Sequence, residues 1–371
     1  MKLLFTCGGT AGHINPAIAL ARLFQFRHQD CQVLFAGADN GMERTLVPHE
    51  GYELRTVHVN TIHRAWKWKD IKHNVMTVLT LPMARRQARA ILDDFQPDLV
   101  VGTGGYASYP VVKEAARRGI PTAIHESNAV PGLTTKLLAK AADRVMVGFE
   151  DSRQHYPHPD RVVVTGTPVR RDFFDHTRKE ARQALGFTDD RPVVLSYWGS
   201  LGAEVMNRYM ADFLQAEAEE GCPFHHIHGA GRNYAWLTGE LKSRGVDLGE
   251  GAEVREYIYD MPLVMAAADL VVCRAGASTI SELTAIAKPR ILVPSPNVTN
   301  NHPEKNAPGL EQHGAAVVLL EPECDGRSLY AQVKELLSDR ERLSQMARNL
   351  SALSVTDAAE EIYQTLLALL R

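Results

Sequence analysis

This chain of 371 residues has few cysteines, little net charge and no long apolar run. Its five cysteines (Cys7, Cys31, Cys222, Cys273, Cys324) are scattered, odd in number and contain no C-x-x-C pair. That excludes a disulfide framework and a cysteine-based zinc site, and it fits reduced thiols in the cytoplasm. The formal net charge of -3 supplies no global basic field, so no nucleic-acid partner is expected. No segment approaches the roughly 18 uninterrupted apolar residues of a membrane-spanning helix. The start, Met1-Lys2-Leu3-Leu4-Phe5, resembles a signal n-region only briefly; the apolar run stops at Gly8-Gly9 with no cleavage-like site, so no signal peptide is expected. Low-complexity tracts are missing too. What is left is the composition of a soluble globular protein, 45% hydrophobic and 23% charged, long enough for two domains.

Short apolar runs rich in Val, Ile and Leu alternate with longer helical patterns. The first series is Leu3–Cys7, Gln32–Ala36, Asp98–Val101, Thr122–His125, Arg144–Val147 and Val162–Thr165. The second is Val193–Tyr197, Phe224–His228, Glu253–Glu256, Leu270–Cys273, Arg290–Val293 and Ala316–Leu319. Near-continuous apolar strands separated by helices predict parallel sheets covered on both faces. Each series has a glycine-containing turn after its first strand, Gly8-Gly9-Thr10-Ala11-Gly12 and Gly199-Ser200-Leu201-Gly202-Ala203. The pattern therefore predicts an α/β chain of two doubly wound domains facing a cleft, with a boundary near Gly166-Thr167-Pro168. In such sheets ligands bind beyond the carboxyl ends of the strands. Pro16 is expected to open the first helix, Ala17 to Phe26, as proline does at a first helical position. From Thr356 to Arg371 the spacing of Ala358, Ile362, Leu366 and Leu369 predicts an amphipathic helix.

Several expected strand ends carry polar or glycine-rich turns. Gly8 to His13 ends on a histidine, a side chain able to move protons near neutral pH; an ordinary strand-to-helix turn is the plainer reading. Gly102-Thr103-Gly104-Gly105-Tyr106 and His125-Glu126-Ser127-Asn128 follow two further strands. In the second half, Ser200-Leu201-Gly202-Ala203 leads into a helix near Glu204, and Arg274-Ala275-Gly276-Ala277-Ser278-Thr279 into one carrying Glu282. Two glycine-rich turns feeding helix N-termini look like an anion site, to which Arg170 and Arg274 would add charge-assisted hydrogen bonds. Glu282 suits sugar hydroxyls better than phosphate. The first turn lacks the Lys-Ser/Thr of a Walker loop and the G-x-G-x-x-G spacing of a dinucleotide fold, and no G-x-S-x-G elbow occurs.

Two other features stand out. His225-His226-Ile227-His228, on a strand, would place His226 and His228 on one face and His225 on the other. With two ligands and no obvious carboxylate partner, a structural or ligand-lining role is favoured over a metal. Between Ile62 and Ala90 seven basic residues (Arg64, Lys67, Lys69, Lys72, Arg85, Arg86, Arg89) oppose one acid, Asp70, beside Trp66 and Trp68. A solvated basic face over a buried helix accounts for such a stretch; a tryptophan-bearing basic lobe on a mildly acidic chain points instead to anionic lipid.

Taken in order, these motifs resemble the MurG family, the N-acetylglucosaminyltransferases that make lipid II for peptidoglycan. The resemblance runs nearly end to end. It rests on Gly8 to His13, Gly104-Gly105-Tyr106, His125 to Asn128, Pro168-Val169-Arg170, Gly199 to Ala203, Cys273 to Ala277, Ser281-Glu282 and Asn306-Ala307. It implies a GT-B fold of two Rossmann-like domains. Residues 1–165 would form an acceptor and membrane-docking domain and 166–355 a UDP-sugar domain, with 356–371 a helix returning to the first. It implies UDP-GlcNAc as donor, with the backbone of Ile258 at uracil and Glu282 at the ribose. Ser200 and Arg170 would lie at the pyrophosphate, with Gly202, Arg274, Ser278 and Thr279 in the adjoining turns, and Ala277 and Asn306 near the sugar. The acceptor, lipid I, would lie at Thr10, Ala11, Gly12, Tyr106 and Asn128, and the enzyme would sit peripherally on the cytoplasmic face of the membrane. His13 would be the base that receives the acceptor's C4 hydroxyl proton, inverting the donor linkage. No cofactor is implied, and helix N–H groups with Arg170 would stabilise the leaving UDP without a strict need for metal.

The sequence departs from the family at two places. Trp198 stands where a glycine is usual, where it would either narrow the phosphate turn or pack behind it. His302-Pro303 replaces adjacent glutamines and removes one sugar contact, since proline offers no N–H. A UDP-sugar 2-epimerase, a transferase with another lipid acceptor and a non-catalytic homologue are the competing expectations.

Overall fold

In a computed structural model the chain is described at residues 1–60, 68–128, 130–199, 201–296, 309–354 and 358–370, with side chains left out at 68–79 and 151. It divides into two compact units, Met1–Arg170 with Asp357–Arg371, and Arg171–Thr356.

Unit 1 is a seven-stranded parallel sheet in the order β3-β2-β1-β4-β5-β6-β7. The strands are β1 (Lys2–Thr6), β2 (Gln32–Ala38), β3 (Leu54–Val57), β4 (Leu99–Gly102), β5 (Thr122–Glu126), β6 (Arg144–Val147) and β7 (Val162–Val164). Its helices are α1 (Ala11–Arg27), α2 (Glu43–His49), α3 (Trp68–Phe95), α4 (Ser108–Arg117) and α5 (Leu133–Leu138). Parallel pairing sets Leu4 between Leu34 and Val100, all fully buried, which is why these strands read as continuous apolar runs.

Unit 2 is a six-stranded parallel sheet in the order β10-β9-β8-β11-β12-β13. Its strands are β8 (Val193–Tyr197), β9 (His225–Gly229), β10 (Ala252–Arg255), β11 (Leu270–Cys273), β12 (Arg290–Leu292) and β13 (Val317–Val318). Its helices are α6 (Arg178–Ala184), α7 (Glu204–Glu219), α8 (Tyr234–Ser243), α9 (Met261–Ala267), α10 (Ala277–Ala285), α11 (Gly326–Ser338) and α12 (Arg340–Leu353). A last helix, α13 (Ala358–Leu369), belongs to unit 1. There Tyr363 lies against Phe24, its hydroxyl meets His28 at 2.9 Å, and Glu360 pairs with Arg27 at 2.6 Å.

The α/β class with two doubly wound sheets is therefore the fold the alternation predicts. Two local expectations are corrected. The strand series omits β3: Leu54-Arg55-Thr56-Val57 is an edge strand, half exposed, with no apolar run to announce it. The first helix opens at Ala11, not at Pro16, because the Thr10 carbonyl already accepts the N–H groups of His13 and Ile14 at 3.0 and 3.3 Å. Pro16 thus sits inside the helix, where its missing N–H forgoes one bond. The consequence is functional: His13 lies in the first turn of α1 rather than in a loop.

Candidate active site

In each sheet the strand order reverses beside the first strand, between β1 and β4 in unit 1 and between β8 and β11 in unit 2. Glycine-rich turns leave the carboxyl ends of all four strands, at the switch points where open α/β sheets hold ligands.

At the unit 1 switch point half-buried His13 is held once through its ring and once through its backbone. Its Nδ1–H donates to the Gly8 carbonyl at 2.9 Å, and the Thr103 hydroxyl donates to the His13 carbonyl at 2.6 Å. A carbonyl accepts only, so the proton of the neutral ring sits on Nδ1 and Nε2 carries the lone pair. Gly104, at φ +111, lies so close that a Cβ there would stand 2.5 Å from the imidazole Cδ2. The hydroxyl of Thr10, the N-cap of α1, makes no capping bond, and Ala11 and Gly12 form the half-buried first turn. Tyr106 packs half-buried against the core of unit 1. Asn128 is held by Glu126, whose Oε1 accepts its Nδ2 at 2.7 Å and its backbone N–H at 3.1 Å. The other oxygen of Glu126 takes the Gly132 N–H at 3.0 Å and the Thr135 hydroxyl at 2.7 Å. Buried His125 donates through Nε2 to the Gly166 carbonyl at 2.9 Å, and burial pulls its basicity below the ordinary histidine range. The turn after β1 therefore carries Thr10, Ala11, Gly12 and His13 and the turn after β5 carries Asn128, with Tyr106 on the turn after β4, the strand between them.

At the unit 2 switch point Ser200 and, further on, Asn306 lie outside the described residues, as do His302 and Pro303. The turn itself is defined by Gly199 (φ +85) and Gly202 (φ +73), with the Gly202 N–H donated to the Gly199 carbonyl at 3.0 Å. A Cβ on Gly202 would run into the Ala230 carbonyl. Neither α7, N-capped by Ala203, nor α10, N-capped by Gly276, has a side-chain cap. Ala277 and Glu282 are buried on α10, which also carries Ser278 and Thr279, and Ile258 is buried against Gly229 after β10. Trp198 is buried in the same core as Met206, Met210 and Leu237, so it packs behind the turn and does not narrow it.

The two arginines proposed for phosphate are engaged elsewhere. Arg170 is buried and ion-paired to Glu50 of unit 1 at 2.8 Å. Arg274 donates to the Val293 and Pro294 carbonyls at 3.1 Å each and pairs with Glu321. The histidine run has the carboxylate partner that spacing alone hid. His226 Nδ1 meets fully buried Glu217 of α7 at 2.7 Å, and its Nε2 meets the Ser196 hydroxyl at 2.8 Å. Ser196 in turn reaches His228 Nδ1 at 2.7 Å, and His228 Nε2–H donates to Asn207 at 3.0 Å. Asn207 donates to the Ala230 carbonyl at 2.8 Å, behind Gly202. Burial pushes His228 down to about 3, so it stays neutral. His225 faces the other way, to Asp189 at 2.7 Å. These groups brace the sheet beneath the turn.

Of the basic lobe, Trp66 lies outside the described residues and Trp68 begins α3 as backbone alone. Farther along α3, Ala84, Ala88, Ile91 and Leu92 are buried while Leu81 and Met83 are exposed. Arg85 and Arg89, with Arg117 of α4 and Arg118 just after it, converge on one buried carboxylate, Glu114; Arg118 also pairs with Asp93 at 2.7 Å, so the cluster carries two positive charges in excess. Among the described residues no helix is long and apolar enough to cross a membrane.

Two doubly wound sheets with glycine turns at both switch points make two units of the ligand-binding Rossmann type, and comparison with known proteins says which class they belong to. The glycosyltransferase family 28 N-terminal domain model matches residues 3–147 and the corresponding C-terminal domain model residues 193–362. A UDP-N-acetylglucosamine--N-acetylmuramyl-(pentapeptide) pyrophosphoryl-undecaprenol N-acetylglucosamine transferase of Acetivibrio thermocellus is 42% identical, covering 98% of this chain and 97% of that one. A protein of the same name from Bacillus subtilis is 35% identical over 99% of both. The crystal structure of Acinetobacter baumannii MurG superposes with a TM-score of 0.67 at 25% identity, covering 99% of each chain. The UDP-GlcNAc 2-epimerase from Neisseria meningitidis, TM-score 0.65 at 16% identity over 99% and 100% of the chains, shares the fold. The chain belongs to glycosyltransferase family 28 and has the GT-B fold of its MurG members.

Proposed function

We propose that the chain transfers N-acetylglucosamine from UDP-GlcNAc to the C4 hydroxyl of lipid I, giving lipid II. The geometry that carries this reading is the His13 tautomer: with Nδ1–H committed to Gly8, Nε2 is free to take a proton. The acceptor O4–H bond breaks toward Nε2 as O4 attacks the anomeric carbon. The bond from that carbon to the β-phosphate oxygen breaks with its electron pair leaving on UDP, so an α-linked donor becomes a β-linked product. Unit 2 holds the donor, with the uncapped N-termini of α7 and α10 facing the pyrophosphate's growing charge. Ser200 and Gly202 contribute to that turn. Arg170 is assigned to the leaving phosphate as a charge-assisted donor, while Arg274 braces the turn through Glu321 and the β12 end. Ile258 receives uracil, Glu282 the ribose hydroxyls, and Ala277, Ser278, Thr279 and Asn306 the sugar side. Thr10, Ala11, Gly12, Tyr106 and Asn128 receive the lipid-linked acceptor. The exposed apolar side chains of α3 and the arginines around Glu114 support docking on the anionic cytoplasmic face of the membrane.

The deciding assay incubates the protein with UDP-GlcNAc and a short-chain lipid I analogue. UDP release that requires the acceptor is the expected result. Conversion of the donor to UDP-ManNAc without acceptor would replace this reading by the epimerase one, and donor binding without turnover would reduce the chain to a binding protein.

A further inference from the structure

A fully buried carboxylate, Glu43 at the start of α2, sits directly behind the His13 turn. Its Oε1 accepts the Ala38 N–H at 2.6 Å and its Oε2 the Gly9 N–H at 3.0 Å. Both oxygens accept and neither donates, as in an ionised carboxylate. Three glycines from separate segments make room for it: a Cβ on Gly8 would stand 2.6 Å from Oε1, and one on Gly37 or Gly41 would overlap the side chain.

The Gly9 N–H and the Gly8 carbonyl belong to one peptide group. One end of that group donates to Glu43, and the other accepts from His13 Nδ1–H at 2.9 Å. Carboxylate, peptide and imidazole therefore form a single line of aligned hydrogen bonds, in which each bond polarises the next. The arrangement does what a carboxylate bonded directly to a catalytic histidine does, with one peptide interposed: it fixes the Nδ1–H tautomer and stabilises the imidazolium that forms when Nε2 takes a proton. We propose that Glu43 is a positioning residue for His13, acting through the Gly8–Gly9 peptide.

The surrounding groups leave this coupling uncontested. Just after β1, Cys7 is buried; burial pushes its thiol well up and the Glu43 charge adds to that, so Cys7 stays neutral. At the end of β2, Asp39 is paired with His58 at 2.7 Å, and Arg44 of α2 donates to the Asp39 carbonyl at 3.0 Å. From the turn after β4, Thr103 and Gly104 bring no charge.

This inference rests on His13 being the base, and the test separates the two. Glu43→Gln keeps the size of the side chain but removes its charge. It is expected to lower kcat by about tenfold, against roughly a hundredfold for His13→Ala, with KM for UDP-GlcNAc unchanged in both. The acid limb of its kcat/KM profile should also move to lower pH. A Glu43→Gln enzyme with native kcat and an unmoved acid limb overturns the proposal. The unmodified protein gives a second readout that needs no variant: with 15N-glycine and 13C-histidine labels, the Gly9 amide resonance should titrate together with the His13 ring. A Gly9 amide that stays still while the ring titrates also overturns the proposal, even if Glu43→Gln proves unfolded. Native turnover in His13→Ala would instead remove the base assignment, and the joint titration of Gly9 and His13 would then decide the coupling alone.

Discussion

His13 is held by its ring on the Gly8 carbonyl, by its own carbonyl on the Thr103 hydroxyl and by close packing against Gly104, and each is a place where one substitution should be felt. Gly104→Ala combines a positive φ with a Cβ 2.5 Å from the imidazole. Backbone strain of that kind costs about 1–3 kcal/mol, and the ring must also shift off the Gly8 carbonyl. Turnover is expected to fall by about tenfold or more while UDP affinity, read by calorimetry, stays native. How much of this was legible in the sequence varies residue by residue. His13 was visible because it closes a glycine-rich strand-to-helix turn, and Trp198 because it breaks a glycine pattern. Glu43 and Glu217 were not: each is one acid among many, and only folding shows it buried beside a glycine or a histidine. The one available signal for Glu43 was Gly37 inside an otherwise apolar strand, since a strand glycine marks a close approach. The ion pairs of the two arginines are equally silent in the sequence. Nothing in the sequence places Glu321 beside Arg274, or Glu50 beside Arg170.

Elements were more legible than their neighbours. Strands buried on both faces announce themselves as apolar runs, so the expected runs fall on the strands of both sheets apart from β3. That edge strand needs only one apolar face and left no run to read. Pro16 misled for a comparable reason: proline favours a first helical position, but the Thr10 carbonyl had already nucleated the helix one turn earlier. The amphipathic spacing in the last helix holds for Ala358, Ile362 and Leu366, which are buried on one side of α13, while Leu369 at its end is only half-buried. Leu366→Ala removes a fully buried side chain there and should cost about 2–5 kcal/mol, seen as an earlier urea midpoint. On α3 the exposed Leu81 and Met83 adjoin Arg86. Changing all three to Ser is expected to weaken sedimentation with vesicles rich in anionic lipid while leaving uncharged vesicles unaffected. Unchanged sedimentation would remove the membrane-docking role from this end of α3.

For the whole molecule, buried neutral histidines set the response to acid. His228 is pushed down to about 3 and His125 is lowered, in both cases chiefly by burial. An unfolded histidine titrates near pH 6.5, so above that value neither state gains a proton and the folded structure keeps its full stability. As pH falls from about 6.5 toward 3, the unfolded chain binds protons that the folded chain refuses. Stability should then drop by up to about 1.4 kcal/mol per pH unit for His228 over that range, with His125 acting in the same direction. Urea midpoints at pH 7 and pH 5 check this; equal midpoints would mean that these rings are charged in the native state. The long-range connection of α13 to α1 was read through family resemblance rather than from composition, because amphipathic spacing says that a helix has a partner and not which one. That connection has a consequence for biosynthesis. A ribosome releases all seven strands of unit 1 long before it releases the helix that covers Phe24 and His28. The unit begun first is thus completed last, while unit 2 is an uninterrupted stretch whose contacts are all available earlier. Nascent chains halted before α13 should expose the Phe24 face of α1, which makes that face the natural place for a chaperone to hold the protein during synthesis.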